Sequence, residues 1–257
     1  MERFNNIFLD TLYLIYRYAT LFVIVKPLNF VRFFTFYLRD MIKYKSMKGA
    51  EKVRIMDTYP ILEERTQKTA FDPQYFYQSV WATKLIYQNK PNEHVDVGSQ
   101  ISFIGGISTF TKATFIDIRP LKTKLDNLKS KKGTIIKMPY GNNSIKSLSC
   151  LHVAEHVGLG RYGDQLDPLG TKKATKELKR VLAKDGNLYF SLPIGKPRLC
   201  FNAHRIHSPD QILEYFKGLK LLELSGVDDK GNFKRNAKAS EMKNWNYGCG
   251  LFHFTKK

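Results

Sequence analysis

Cysteine is almost missing from this chain: three residues in 257, Cys150, Cys200 and Cys249, odd in number and far apart. That excludes a disulfide framework and, with no close pair, a zinc knuckle; it fits reduced, buried thiols in a cytoplasmic setting. Acidic residues are also scarce, 23 against 42 lysines and arginines, which leaves a net charge of +19. The imbalance favours an anionic partner, whether membrane lipid, nucleic acid or a phosphorylated or acidic substrate, and says nothing about fold. Nucleic acid lacks its usual signatures here. There are no Arg-Gly repeats, no zinc-finger spacing, and no Asn-Pro-Pro-Tyr or Asp-Pro-Pro-Tyr motif of base-flipping enzymes. No small-residue cleavage site follows the first apolar stretch, so no secretory signal is expected. With 43% hydrophobic residues, the chain can build one sizeable α/β domain and an appendage.

A charge-free apolar run is missing as well. Ile7 to Val25 is about as long as a bilayer is thick, yet it contains Asp10 and Arg17. A mid-segment arginine costs roughly 2.5–3.5 kcal/mol on insertion scales, which argues against a span. Pro27 is expected to break the helix, and the aromatic segment Phe30 to Arg39 follows. Lys26, Arg32, Arg39, Lys43, Lys45 and Lys48 stand among and just after these rings. Aromatics beside basic residues suit the headgroup region of an anionic membrane, so residues 1–48 are expected to lie on its cytoplasmic face. The alternative is a helical appendage with no membrane contact. A charged linker over 49–70 then leads into a domain at 71–257.

In that domain, Tyr75 to Tyr87 reads as an amphipathic helix. His94-Val95-Asp96-Val97-Gly98-Ser99 follows, a short β-branched strand ending in an acid and a glycine. Thr114 to Arg119 is a second such strand, and its Asp117 lies twenty-one residues after Asp96. That is close to the spacing of about 20 at which a second-strand acid takes the hydroxyls of a bound ribose. Either acid alone reads equally well as a structural strand end. Gly133 to Tyr140 is expected to supply a third strand and a loop, Ser147 to Val153 a fourth strand and Asn187 to Pro193 a fifth, with Gly248 to Phe254 last. Helical stretches between the strands imply an α/β, doubly wound, mostly parallel Rossmann-like sheet with helices on both faces and an N-terminal helical appendage.

His152, Glu155 and His156 would share one face if their segment were helical, and together they could hold a divalent metal, Mg or Zn. An inverted zinc peptidase carries the same His-x-x-Glu-His spacing, but requires it inside a long helix. Here it follows an apolar strand. A second imidazole-bearing loop, Asn202 to His207, follows strand five.

The ordered set Val95 to Ser99, Asp117, Met138-Pro139-Tyr140, Leu151 to Val157 and Leu182 to Leu188 resembles the class I S-adenosyl-methionine-dependent methyltransferases. More narrowly, Leu151 to Pro168, Phe201 to Phe216 and Tyr247 to Phe254 resemble an uncharacterised methyltransferase-like family first catalogued from nematode sequences. The resemblance covers roughly 71–254. It implies a methyltransferase that uses S-adenosyl-methionine, with Asp96, Gly98 and Ser99 at its methionine end, Asp117 on the ribose and Met138 with Pro139 along the adenine. Relatives linked to surface-glycan synthesis imply polysaccharide biosynthesis, a glycan or lipid-linked sugar acceptor and O-methylation. Such a hydroxyl needs a base, for which His152, His156, His204 and His207 are the candidates. Two departures stand out: Ser99-Gln100-Ile101 replace the usual further glycines, and Lys137 stands where an acid would meet the adenine amine. They keep open a degenerate methyltransferase fold that only binds a partner at the membrane. Nucleic-acid methylation rests on charge alone.

Overall fold

The computed structural model describes residues 15, 16, 27–61 and 64–257. The apolar stretch over 7–25 therefore lies outside the described residues, apart from Ile15 and Tyr16, which are helical and exposed. The chain divides into two units, Met1–Ala70 and Phe71–Lys257.

In the first unit, helix α1 (Pro27–Lys45) carries the aromatic segment. Pro27 opens this helix, because a first-turn proline gives up only an N–H that has no partner there, and the helix expected before it lies outside the described residues. Lys43 and Lys45 in the last turn offset the helix dipole. Asp40 pairs with Arg39 at 3.0 Å and with Arg65 at 2.8 Å. Val31, Leu38 and Ile42 are exposed. Among the described residues no helix is long and apolar enough to cross a membrane.

The second unit opens with α2 (Pro73–Asn89), whose Asp72 cap accepts hydrogen bonds from the Gln74 and Tyr75 amides. Then follow β1 (Glu93–Val97), α3 (Ile101–Ile107), β2 (Lys112–Asp117), β3 (Leu128–Lys132) and β4 (Ile145–Leu151). After these come α4 (Gly170–Val181), β5 (Leu182–Ile194), the hairpin β6 (Arg198–Cys200) and β7 (His204–Ile206), and α5 (Pro209–Tyr215). The chain ends with β8 (Leu219–Val227), β9 (Phe233–Lys234), α6 (Ala239–Met242) and β10 (Gly248–Lys256). One eight-stranded sheet has the order β3-β2-β1-β4-β5-β10-β8-β9. The pairs among β3, β2, β1, β4 and β5 are parallel, and β10 runs antiparallel to both β5 and β8. The fold is thus a mostly parallel, Rossmann-like doubly wound sheet.

Strand alternation sorts side chains into two cores, one on each face of the sheet. Val95, Val97, Ile116, Leu148 and Phe190 pack with Ala174, Leu178 and Val181 of α4 and with Ile212 of α5. Phe115, Tyr189 and Leu251 on the opposite face pack with Trp81 and Ile86 of α2 and with Phe103, Ile104 and Ile107 of α3. Each fully buried large apolar side chain contributes about 1.5–3 kcal/mol. One expected strand is corrected. The third strand is Leu128–Lys132, not 133–140, and Thr134 to Lys137 forms a tight antiparallel bridge instead. Leu-Lys-Ser-Lys-Lys gives no apolar run because an edge strand needs only its inward residue, Leu128, for the core.

Candidate functional site

Strand order turns at β1. The chain builds outward through β2 and β3, then returns to place β4 on the other side of β1. At such a switch point the two adjoining loops diverge and leave a crevice beyond the carboxyl ends of the strands. A cleft of about 80 Å³ opens there, with walls from Val97, Asp117, Arg119, Gly133 to Ile135, Val153, His156 and Tyr162. Gly98 follows the lining residue Val97 at the end of β1, with φ +65. A Cβ at Gly98 would stand 3.1 Å from Val153 Cγ1 and 3.4 Å from Asp117 Oδ2. The backbone is bare at the point where a ligand would lie closest. Asp117 Oδ1 accepts from the Arg119 amide at 2.7 Å, and Oδ2 has no hydrogen-bond partner among the described residues.

Asp96 serves this cleft from beneath. Its carboxylate is fully buried and accepts from the Ser99 amide at 3.0 Å and from the Ser149 hydroxyl. His94 continues the network, with Nδ1 2.8 Å from Ser147 Oγ and Nε2 2.9 Å from Ser149 Oγ. Ser149 commits its proton to Asp96, so His94 donates from Nε2 and stays neutral; burial pushes its pKa down to about 3. Burial also raises Asp96 to about 6 against the bonds from Ser149 and Ser99. Ser99 Oγ in turn accepts from the Leu151 amide at 3.0 Å, which joins the β1 turn to the end of β4. Together these bonds fix the turn that presents Gly98.

The loop after β4 closes the outer side. Gly158 has φ +78, and a Cβ there would meet Asp167 O at 2.2 Å, so no other residue fits. Arg205 ties the loop down through bonds to Val157 O at 2.6 Å and Asp167 O at 3.0 Å. Its Tyr162 ring takes the Arg119 guanidinium at 4.6 Å, across the cleft mouth.

This architecture is shared with solved proteins. The N-methyltransferase NodS from Bradyrhizobium japonicum WM9, in complex with S-adenosyl-L-homocysteine, matches with a TM-score of 0.52 at 13% identity, over 72% of this chain and 88% of that one. A putative sarcosine dimethylglycine methyltransferase from Galdieria sulphuraria matches with a TM-score of 0.51 at 13% identity, over 70% and 86%. The fold is that of the class I S-adenosyl-methionine-dependent methyltransferases. Residues 121–247 also match the family described as Caenorhabditis protein of unknown function, DUF268, a distant relative. No curated protein matches the chain.

Within this methyltransferase fold, the residues singled out from the sequence part company. Asp117 lines the cleft, and Gly98 lies against its lining residues Val153 and Asp117. Asp96 and Ser99 hold the turn beside Gly98 through their bonds to Ser149 and to the Leu151 amide. Met138 is buried with its amide on Glu177 Oε1 at 2.7 Å, and Pro139 packs behind Gly133. The wall facing the cleft is Gly133 to Ile135.

The His152, Glu155, His156 metal cluster does not assemble. Among the described residues no group of three or more His, Cys, Asp or Glu side chains is placed to hold a metal ion. The expectation needed a helix, but His152 takes φ +54 and only a single 3-10 turn, Ala154–His156, follows. His152 turns to Gln78 at 2.6 Å and Gln74 at 3.2 Å, and His156 Nδ1 donates to Ala203 O at 2.6 Å. Burial pushes His152 to about 3 and His156 to about 4, and lowers His204. His207, also brought to about 4 by burial, packs on Tyr215 with ring centres 5.9 Å apart. Burial thus favours the neutral form of each of these imidazoles. Tyr162 and Arg119 were not foreseen; aromatic and arginine near strand tips was the available signal.

Proposed function

We propose that this chain is an S-adenosyl-methionine-dependent methyltransferase acting on a small molecule, with a hydroxyl of a glycan or lipid-linked sugar as acceptor. The observation that carries the reading is the switch-point cleft, where bare Gly98 backbone faces the unengaged Oδ2 of Asp117. These residues fit the cofactor. Gly98 allows close approach, Asp117 offers an acceptor to ribose hydroxyls, and Val97 with Gly133 to Ile135 gives an apolar wall for the adenine. When bound, S-adenosyl-methionine supplies an electrophilic methyl group. The protein contributes alignment and exclusion of water, with Tyr162 closing over the cleft.

Incubation with methyl-labelled S-adenosyl-methionine and a panel of free and nucleotide-linked sugars tests this directly. Label is expected in a sugar product together with released S-adenosyl-homocysteine. Absence of transfer to every member, with cofactor binding intact, favours the degenerate, binding-only alternative.

Placement at the cytoplasmic face of a membrane is supported by α1, where exposed Val31, Leu38 and Ile42 accompany Arg39, Lys43 and Lys45. The intact protein is expected to sediment with phosphatidylserine vesicles and to remain in solution with phosphatidylcholine alone. Equal sedimentation, or none, removes this part of the reading.

A further inference from the structure

Beside the cleft, Glu155 presents an anomaly that the methyl-donor site leaves unused. The side chain is fully buried, and neither carboxylate oxygen has a hydrogen-bond partner. Burying a carboxylate without donors is among the most costly arrangements a fold can hold. What surrounds it is rich in rings. His156 Nε2 lies 3.6 Å from Glu155 Oε1. His204 stands 6.4 Å from His156 and 5.1 Å from Tyr247, ring centre to ring centre. Tyr75 lies 5.0 Å from His152 in the same way. Gln74 stitches the two sides together, donating to Tyr247 O at 3.0 Å while its Oε1 meets His152 Nε2 at 3.2 Å.

Burial raises the pKa of both Tyr75 and Tyr247, and the charge of Glu155 acts in the same direction. Those two tyrosines are also the ones that reach solvent, at 36% and 37% exposure. Ring contacts run from Tyr247 through His204 to His156, which lies beside Glu155. The neighbouring cation, Arg161, is engaged elsewhere, on Ala203 O at 3.1 Å and over Tyr162 at 5.2 Å. The imidazoles carry no charge to neutralise the acid.

We propose that this ring-lined site binds a protonated amine on the acceptor molecule, with Glu155 as its counter-ion. Burial raises Glu155 to about 8, so the acid holds its proton until an ammonium enters, which supplies both the N–H donors its oxygens lack and the positive charge that lets it ionise. Aromatic faces solvate an ammonium through their quadrupoles where water is excluded. A neutral hydroxyl supplies no charge to ionise the acid, and an anionic group opposes its ionisation. The inference rests on the methyltransferase reading and narrows its acceptor to an amine-bearing compound such as an amino sugar.

The test is calorimetry on the intact protein with S-adenosyl-homocysteine present, titrated in turn with glucosamine, N-acetylglucosamine and glucose at pH 7. Glucosamine is expected to bind at least tenfold more tightly than the other two. Glu155→Gln, which keeps shape and removes charge, abolishes that preference and leaves S-adenosyl-homocysteine affinity within twofold. If Glu155→Gln does not fold, Tyr247→Leu at the rim serves instead, with at least a threefold loss for glucosamine alone. Equal binding of the three sugars, no binding of glucosamine, or a preference that survives Glu155→Gln overturns the proposal. Loss of S-adenosyl-homocysteine binding with glucosamine binding intact counts against the methyl-donor reading only.

Discussion

Between pH 7 and pH 5 the protein is expected to lose a large part of its stability. All six histidines are lowered by burial, and five are pushed far below their ordinary value: His94 and His152 to about 3, and His156, His207 and His253 to about 4. In the folded protein they stay neutral at pH 5, whereas in the unfolded chain each is protonated below about 6.5. Unfolding then takes up about five protons. Asp96 and Glu155 act in the opposite sense. Burial raises them to about 6 and about 8, so they hold protons when folded and release them on unfolding. The difference is a net uptake of about three protons near pH 5. Stability then falls as pH falls, with a slope on the order of 4 kcal/mol per pH unit.

Such a slope is large beside the total of about 5–15 kcal/mol typical of a folded domain. At roughly 2–4 °C per kcal/mol for a chain of this size, Tm is expected to drop by about 10 °C or more between pH 7 and pH 5. Scanning fluorimetry across that range checks it. A flat Tm would mean that the histidines are not held neutral, and the buried networks around His94 and His152 would have to be redrawn.

Gly98→Ala is expected to abolish useful cofactor affinity, with a loss of about 100-fold or more. Two effects combine. The backbone at φ +65 disfavours any Cβ by roughly 1–2 kcal/mol. The added methyl also lies 3.1 Å from Val153 and 3.4 Å from Asp117 Oδ2, inside the space the ligand needs. A matched control is available in Gly105→Ala on α3, where a Cβ meets nothing within 4 Å. That change leaves binding unchanged and stabilises the helix by about 0.5–1 kcal/mol. Calorimetry with S-adenosyl-homocysteine separates the two variants. Equal affinities in both would show that the ligand does not approach Gly98.

The contrast between these glycines also shows how far the sequence could be read. Val95 to Gly98 and Thr114 to Asp117 were legible as strand tips, because a β-branched run ending in an acid and a glycine has few other local solutions. Helix α2 was legible from its period. The edge strand β3 was not, since its lysines face solvent and only Leu128 reports the core. Equal spacing misled at His152, where the chain departs into positive φ and the helical-face argument loses its premise. The partners of Asp96 were half legible: the Ser99 amide is local, whereas Ser149 lies fifty-three residues away in sequence. The isolation of Glu155 is tertiary in the same way. No local pattern reveals that a carboxylate will find no partner.

The account stands on Gly98 and Asp117 jointly receiving one adenosyl ligand. Titration of the intact wild-type protein and of Asp117→Ala with S-adenosyl-homocysteine addresses this most directly. Wild type is expected to bind one equivalent in the micromolar range, and Asp117→Ala to bind 10- to 100-fold more weakly, the loss of one or two hydrogen bonds to a ribose. No detectable heat with wild type, or equal affinity in the variant, would contradict it.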